Sequence, residues 1–168
     1  MKRTLLGLSG AALLILAAAC GPKYDSQRWQ EAEKASKNQP AVSKQAVKGE
    51  DLNQFFPKAE APYSLTFKQE KAGFALAELE KNGKNVASLA ISDTASEPAA
   101  RDKFASSSLE VAGHPAALSG SLGTAVLVAG KYQVQVRSMN PGLTPKEREV
   151  WIAKFDLDGL STLSGGAK

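Results

Sequence analysis

The dipeptide Asn82-Gly83 constrains this 168-residue chain more than any other feature, because it stands between two strand-like runs, Phe74 to Lys81 and Asn85 to Ser92. A two-residue type I′ turn needs positive φ at both central positions, which Asn and Gly tolerate best. The pair therefore predicts an antiparallel hairpin. Ala75, Ala77, Ala87 and Ala90 make its strands small, and a sheet face lined with alanine lets a helix pack closely.

Alternation places the other strands. Tyr63, Leu65 and Phe67 alternate with Ser64, Thr66 and Lys68 as a half-buried strand does. Leu109 and Val111, then Pro115 to Leu118, predict a second group, followed by a loop through Ser119, Gly120, Ser121 and Gly123. Ala125 to Val128 is continuously apolar, the pattern of a strand covered on both faces. Tyr132, Val134 and Val136 alternate with Gln133, Gln135 and Arg137, so one face of that strand is buried and the other wet.

Caps mark two helices. Thr94 and Glu97 have capping-box spacing with Pro98 in the first turn, and Ala100 and Phe104 share a face, which makes Phe104 the expected core anchor. Thr144-Pro145-Lys146-Glu147 repeats the device. Behind it Trp151 and Phe155 stand four apart, Gly159 is the expected C-terminal cap, and Leu157, Leu160 and Leu163 pin the end of the chain. Strand groups punctuated by two helices predict an α+β fold: a mainly antiparallel sheet with two capped helices packed against it. The halves end alike, in Lys103-Phe104 and Lys154-Phe155, which fits an internal duplication or convergence on common turn chemistry. The order of elements also resembles the small PsbP-type α+β domains of exported proteins.

The N-terminus has a different character. Lys2 and Arg3 precede an apolar run from Leu5 to Leu16, and Ala17, Ala18 and Ala19 lead to Cys20. A positive start, a short apolar centre and small residues before a cut make a secretory signal. The run is about a dozen residues, short of the roughly 20 that a membrane-crossing helix needs. This segment resembles the signal peptide of bacterial lipoproteins, whose lipobox ends in a cysteine that receives a diacylglycerol thioether. Ala17 stands three residues before that cysteine, where the family usually has Leu, and Leu16 lies one place upstream. The resemblance implies lipidation at Cys20 and attachment to a membrane. The alternative is an ordinary secretory signal that leaves Cys20 a free thiol. Cys20 is the only cysteine, so no internal disulfide forms. Gly21 after it, where the family's inner-membrane members carry aspartate, implies the outer membrane facing the periplasm if the host has two membranes, and the cell membrane otherwise.

These readings divide the chain into a signal peptide, 1–19; a lipidated N-terminus and polar tether, 20–62; an α+β domain, 63–163; and a flexible tail, 164–168. Within the tether, Ser26 to Lys37 has the composition of a short, marginal helix, and Leu52, Phe55 and Phe56 before Pro57 read as a turn of helix tacked onto the domain. Without Lys2 and Arg3, the 21 basic and 17 acidic residues become 19 and 17. So weak a balance gives no reason to expect nucleic acid as a partner.

Catalytic patterns are sparse. His114 is the only histidine, which excludes a multi-histidine metal site, and Ser119-Gly120-Ser121 lacks the G-x-S-x-G elbow. Asp156 and Asp158 make only part of a calcium loop, Asp93 at a strand end and Glu97 in a capping box already have structural duties, and no phosphate loop is present. No cofactor or metal is expected, and the chain reads as a non-enzyme. Two functions remain open. One is a lipid-anchored envelope protein that docks another protein through the sheet edge or the polar face of Lys131, Gln133, Gln135 and Arg137. The other is a carrier for a small apolar ligand, in a pocket lined by Ala75, Ala77, Leu127 and Trp151.

Overall fold

The computed structural model describes residues 46–139 and 142–163. The signal-like segment, Cys20 and the Ser26 to Lys37 stretch lie outside the described residues, as does the tail.

Seven strands form one sheet: β1 (Tyr63–Lys71), β2 (Phe74–Lys81), β3 (Lys84–Asp93), β4 (Leu109–Val111), β5 (His114–Ser119), β6 (Gly123–Val128) and β7 (Tyr132–Ser138). Their order is β1-β2-β3-β7-β6-β5-β4, and every neighbouring pair is antiparallel. Two meanders thus meet along β3 and β7. The predicted hairpin is present, with Asn82 at φ 52° and Gly83 at φ 74°. Among the described residues four short helices accompany the sheet: α1 (Gly49–Leu52), α2 (Asp102–Ala105), α3 (Pro145–Ile152) and α4 (Leu157–Thr162).

One sheet face carries the core. Ala75, Ala77 and Leu79 of β2, Ala87, Leu89 and Ile91 of β3, and Val134 and Val136 of β7 are fully buried there. Helices α3 and α4 supply Trp151, Ile152, Leu157 and Leu160 from above, and Phe155 joins them from the turn between. Ala90 belongs to the opposite face, in register with Leu76 and Gln135. The packed body begins before Tyr63, because Val47, Leu52, Phe55 and Phe56 are in the same core. Phe56 meets Phe67 at 5.0 Å and Phe155 at 5.2 Å between ring centroids. Backbone bonds from Gly73 N–H to Val47 O and from Asp156 N–H to Phe55 O tie this early segment to both ends of the domain. Gly49 permits the approach: a Cβ there would lie 2.5 Å from the backbone nitrogen of Lys71.

The two capped segments behave differently. Thr144 makes the full capping box, its hydroxyl accepting from Glu147 N–H while the Glu147 carboxylate accepts from Thr144 N–H. Thr94 makes none; its hydroxyl donates to Lys131 O at 2.6 Å, and Asp93 accepts from Ala95 N–H instead. The stretch after it is therefore two 3-10 turns, Thr94–Ser96 and Pro98–Arg101, leading into α2. Gly159 is not a C-terminal cap either. It sits in the first turn of α4, donating its N–H to Asp156, the N-cap. Asp156 is thereby explained without a cation.

Candidate functional site

Among the described residues, the face opposite the core is covered at one end only. The connection from β3 to β4 must pass β7, β6 and β5, and it lays Phe104 on Ala117, Ala125 and Leu127 there. On the way Thr94 N–H bonds to Lys131 O and Arg101 reaches Gly130 O. The rest of this face, over β2, β3 and β7, has no described element on it and consists of half-buried side chains and the exposed Arg137.

Register orders those side chains into rows. Phe74, Ser92, Gln133 and Leu127 form one; Leu76, Ala90, Gln135 and Ala125 the next; Glu78, Ser88, Arg137 and Gly123 a third. Small residues on β3 thus run between larger ones on β2 and β7. Gln133 donates to Gln135 at 3.4 Å, and Arg137 donates to Ser119 O at 3.3 Å. Gly123 leaves room for this arrangement, since a Cβ there would stand 3.1 Å from Gln135 Nε2. Lys68 pairs with Glu78 at 3.2 Å, which leaves Arg137 as the cation of the third row without a carboxylate within 4.0 Å among the described residues.

Three of the four surface residues expected from the sequence, Gln133, Gln135 and Arg137, therefore share this face. Lys131 does not join them. It occupies the β6–β7 turn, with Nζ 3.4 Å from Asp93 and 2.9 Å from the Tyr132 hydroxyl, which in turn donates to Leu163 O. Burial opposes its charge, but the hydroxyl and the carboxylate outweigh that and hold the ammonium above its ordinary pKa. Lys131 is a staple between β3, β7 and the end of the chain. Phe74, Leu76 and Glu78 belong to the face and were missed; their signal was the alternation with Ala75, Ala77 and Leu79.

The four residues expected to line a carrier pocket do not enclose one: Ala75 and Ala77 are sealed with no exposed area in the same core as Trp151, which also borders a cleft at the start of β1, while Leu127 packs on the opposite face with Phe104.

Arg148 is buried at 2% exposure. Its guanidinium donates to Thr124 Oγ1, Ser138 Oγ and Leu143 O at 3.0, 3.2 and 3.4 Å. Such a charge is tolerable only because neutral oxygens surround it. It clamps α3 to β6 and β7. His114 starts β5 after a tight turn at Ala112 and Gly113, half-buried opposite Val111. Among the described residues, no three His, Cys, Asp or Glu side chains are grouped to hold a metal, and no helix is long and apolar enough to cross a membrane.

The class these observations define is an α+β domain built on one antiparallel sheet. No family model, curated protein or solved structure matches the chain.

Proposed function

We propose that this chain is a non-catalytic, lipid-anchored envelope protein that docks a protein partner on the uncovered sheet face. The observation that carries the reading is the half-wet row of Gln133, Gln135 and Arg137 facing Leu76 and Phe74 across the small residues of β3. Amide side chains there offer both donors and acceptors, the apolar wall offers burial, and Arg137 favours an acidic group on the partner. Anchoring rests on the lipobox-like Ala17-Ala18-Ala19-Cys20. A mature chain starting at Cys20 and bearing two or more acyl chains would be held far more firmly than by one.

Two measurements test the two halves of the proposal. The intact mass of the chain purified from envelopes should equal residues 20–168 plus a diacylglycerol and an acyl group, and Cys20→Ser should abolish the increment. A photo-crosslinking residue at position 135 should give a discrete adduct in living cells, whereas one at the exposed Val150 should not. An unmodified thiol defeats the anchor; equal labelling from both positions defeats the docking face.

A further inference from the structure

Where β1 begins, the domain carries a half-open cleft of about 490 Å³, a size typical of small-molecule sites. We infer that this cleft binds a phosphate ester, with the phosphate held by Lys58 and Lys154 and the organic part against Tyr63 and the prolines. The inference does not depend on the lipid anchor or on the sheet face.

The walls are built to hold shape. Pro57 and Pro62 restrict the loop on one side, and its backbone is fixed by Tyr63 N–H to Glu60 O at 2.8 Å and Asn82 N–H to Pro62 O at 2.9 Å. On the other side Trp151, 4% exposed, meets Tyr63 edge to face at 5.1 Å. One of the two cations is set in place by these rings: Lys154 Nζ stands 4.2 Å from the Trp151 centroid, while Lys58 comes from the loop between the two prolines. A lysine resting on an aromatic face has given up part of its rotamer freedom before any ligand arrives.

Charge selects the ligand. Lys48, Lys68, Lys131 and Lys146 each have a carboxylate within 4.0 Å; among the described residues Lys58 and Lys154 of the cleft have none, nor do Lys71, Lys81, Lys84 and Lys103 outside its lining. The cleft lining holds two lysines against Glu60, so its balance is positive. Two ammonium groups act as compact point charges, and a phosphate monoester, carrying roughly −1.5 to −2 charge near neutrality, matches the pair better than a singly charged carboxylate does. The volume exceeds what a bare phosphate fills, which calls for an organic body.

Such an ester could arrive dissolved or as a lipid headgroup, and the test separates the sources. The full chain carrying Cys20→Ser and Trp29→Phe leaves Trp151 as the sole tryptophan. Glycerol 3-phosphate, and separately vesicles of phosphatidylglycerol with phosphatidylcholine vesicles as control, are titrated against its emission. Saturable binding of glycerol 3-phosphate identifies a dissolved ester; saturation with phosphatidylglycerol vesicles alone identifies a headgroup. In either case Lys58→Gln with Lys154→Gln should weaken binding at least tenfold, Lys71→Gln should leave it unchanged, and Glu60→Gln should tighten it severalfold. The inference is overturned if neither probe saturates, if Lys71→Gln weakens binding as much as the cleft variants, or if Glu60→Gln weakens it.

Discussion

The segments 94–108 and 144–163 look alike in sequence, each with a threonine, a proline close behind and a Lys-Phe pair, yet they cover opposite faces of one sheet. Phe155 lies in the main core among Phe56, Trp151 and Ile152, while Phe104 sits with Ala117, Ala125 and Leu127 on the other side. The difference follows from topology. The first segment links β3 to the distant edge strand β4 and has to cross the sheet; the second follows β7 and folds back over the core with no strand left to reach. Similar local signals were put to different tertiary uses, which argues against reading the halves as equivalent repeats.

Truncation of the two phenylalanines should break the resemblance most clearly. Phe155→Ala should cost about 4 kcal/mol and Phe104→Ala about 2 to 3 kcal/mol, since the second site is small and able to collapse. Urea unfolding of both variants measures the gap, and equal losses would mean the faces are equally packed. Next in size is the clamp that holds 144–163 down. Arg148→Leu should cost about 2 to 3 kcal/mol by leaving Thr124 Oγ1 and Ser138 Oγ without the donor they accept from, while Leu143 O keeps its bond from the Ser138 hydroxyl. Adding Thr124→Val should recover part of that in the same assay, whereas adding Ser138→Ala should deepen the loss, because the Ser138 hydroxyl is then the remaining side-chain donor to Leu143 O.

The threonines sharpen the comparison. Asp is a good N-cap, so Thr144→Asp should change the melting temperature little, whereas Thr144→Ala should cost about 1 kcal/mol. Thr94→Asp should cost about 2 kcal/mol, because the buried Thr94 hydroxyl is a donor to Lys131 O and a carboxylate cannot replace it. The capping box also predicts a pH signature. The Thr144 backbone N–H, and then its hydroxyl, hold the Glu147 carboxyl below its ordinary value of 4.5. A folded pKa below the unfolded one contributes stability above the unfolded value, lost as pH falls through the folded value. Melting curves of wild type and Glu147→Gln should therefore differ at pH 7 and converge in acid. The smallest effect belongs to the uncovered face, where Gln135→Glu should alter stability by no more than about 0.5 kcal/mol. If that face docks a partner favoured by Arg137, the same change should weaken docking in a binding assay.

Much of the sheet could be read in advance because its signals are short-ranged. Asn82-Gly83 declares its turn through φ, β6 declares its double burial through an unbroken apolar run, and Tyr132 to Arg137 declares its faces through alternation. The candidate site was legible to the same depth: Gln133, Gln135 and Arg137 share a face because a strand's period is two. Lys131 escaped that logic, since one residue earlier the chain is still in a turn and Asp93 draws the ammonium away. Charge placement in the cleft could not be read at all, because Lys154 comes from a stretch of the chain far in sequence from the loop that carries Lys58 and Tyr63.

What the amino-acid order determined by itself was local geometry: the hairpin, the strand alternations and the capping box at Thr144, each settled by φ, ψ and hydrogen bonds within a few residues. Tertiary structure alone decided that Thr94 serves Lys131 rather than a helix, that Gly159 opens a helix rather than ending one, and that Val47 to Phe56 belongs to the core. It also decided which sheet face each segment covers. The physical reason is that a side chain's partner across the fold depends on the path every intervening strand takes, and no short window of sequence contains that path.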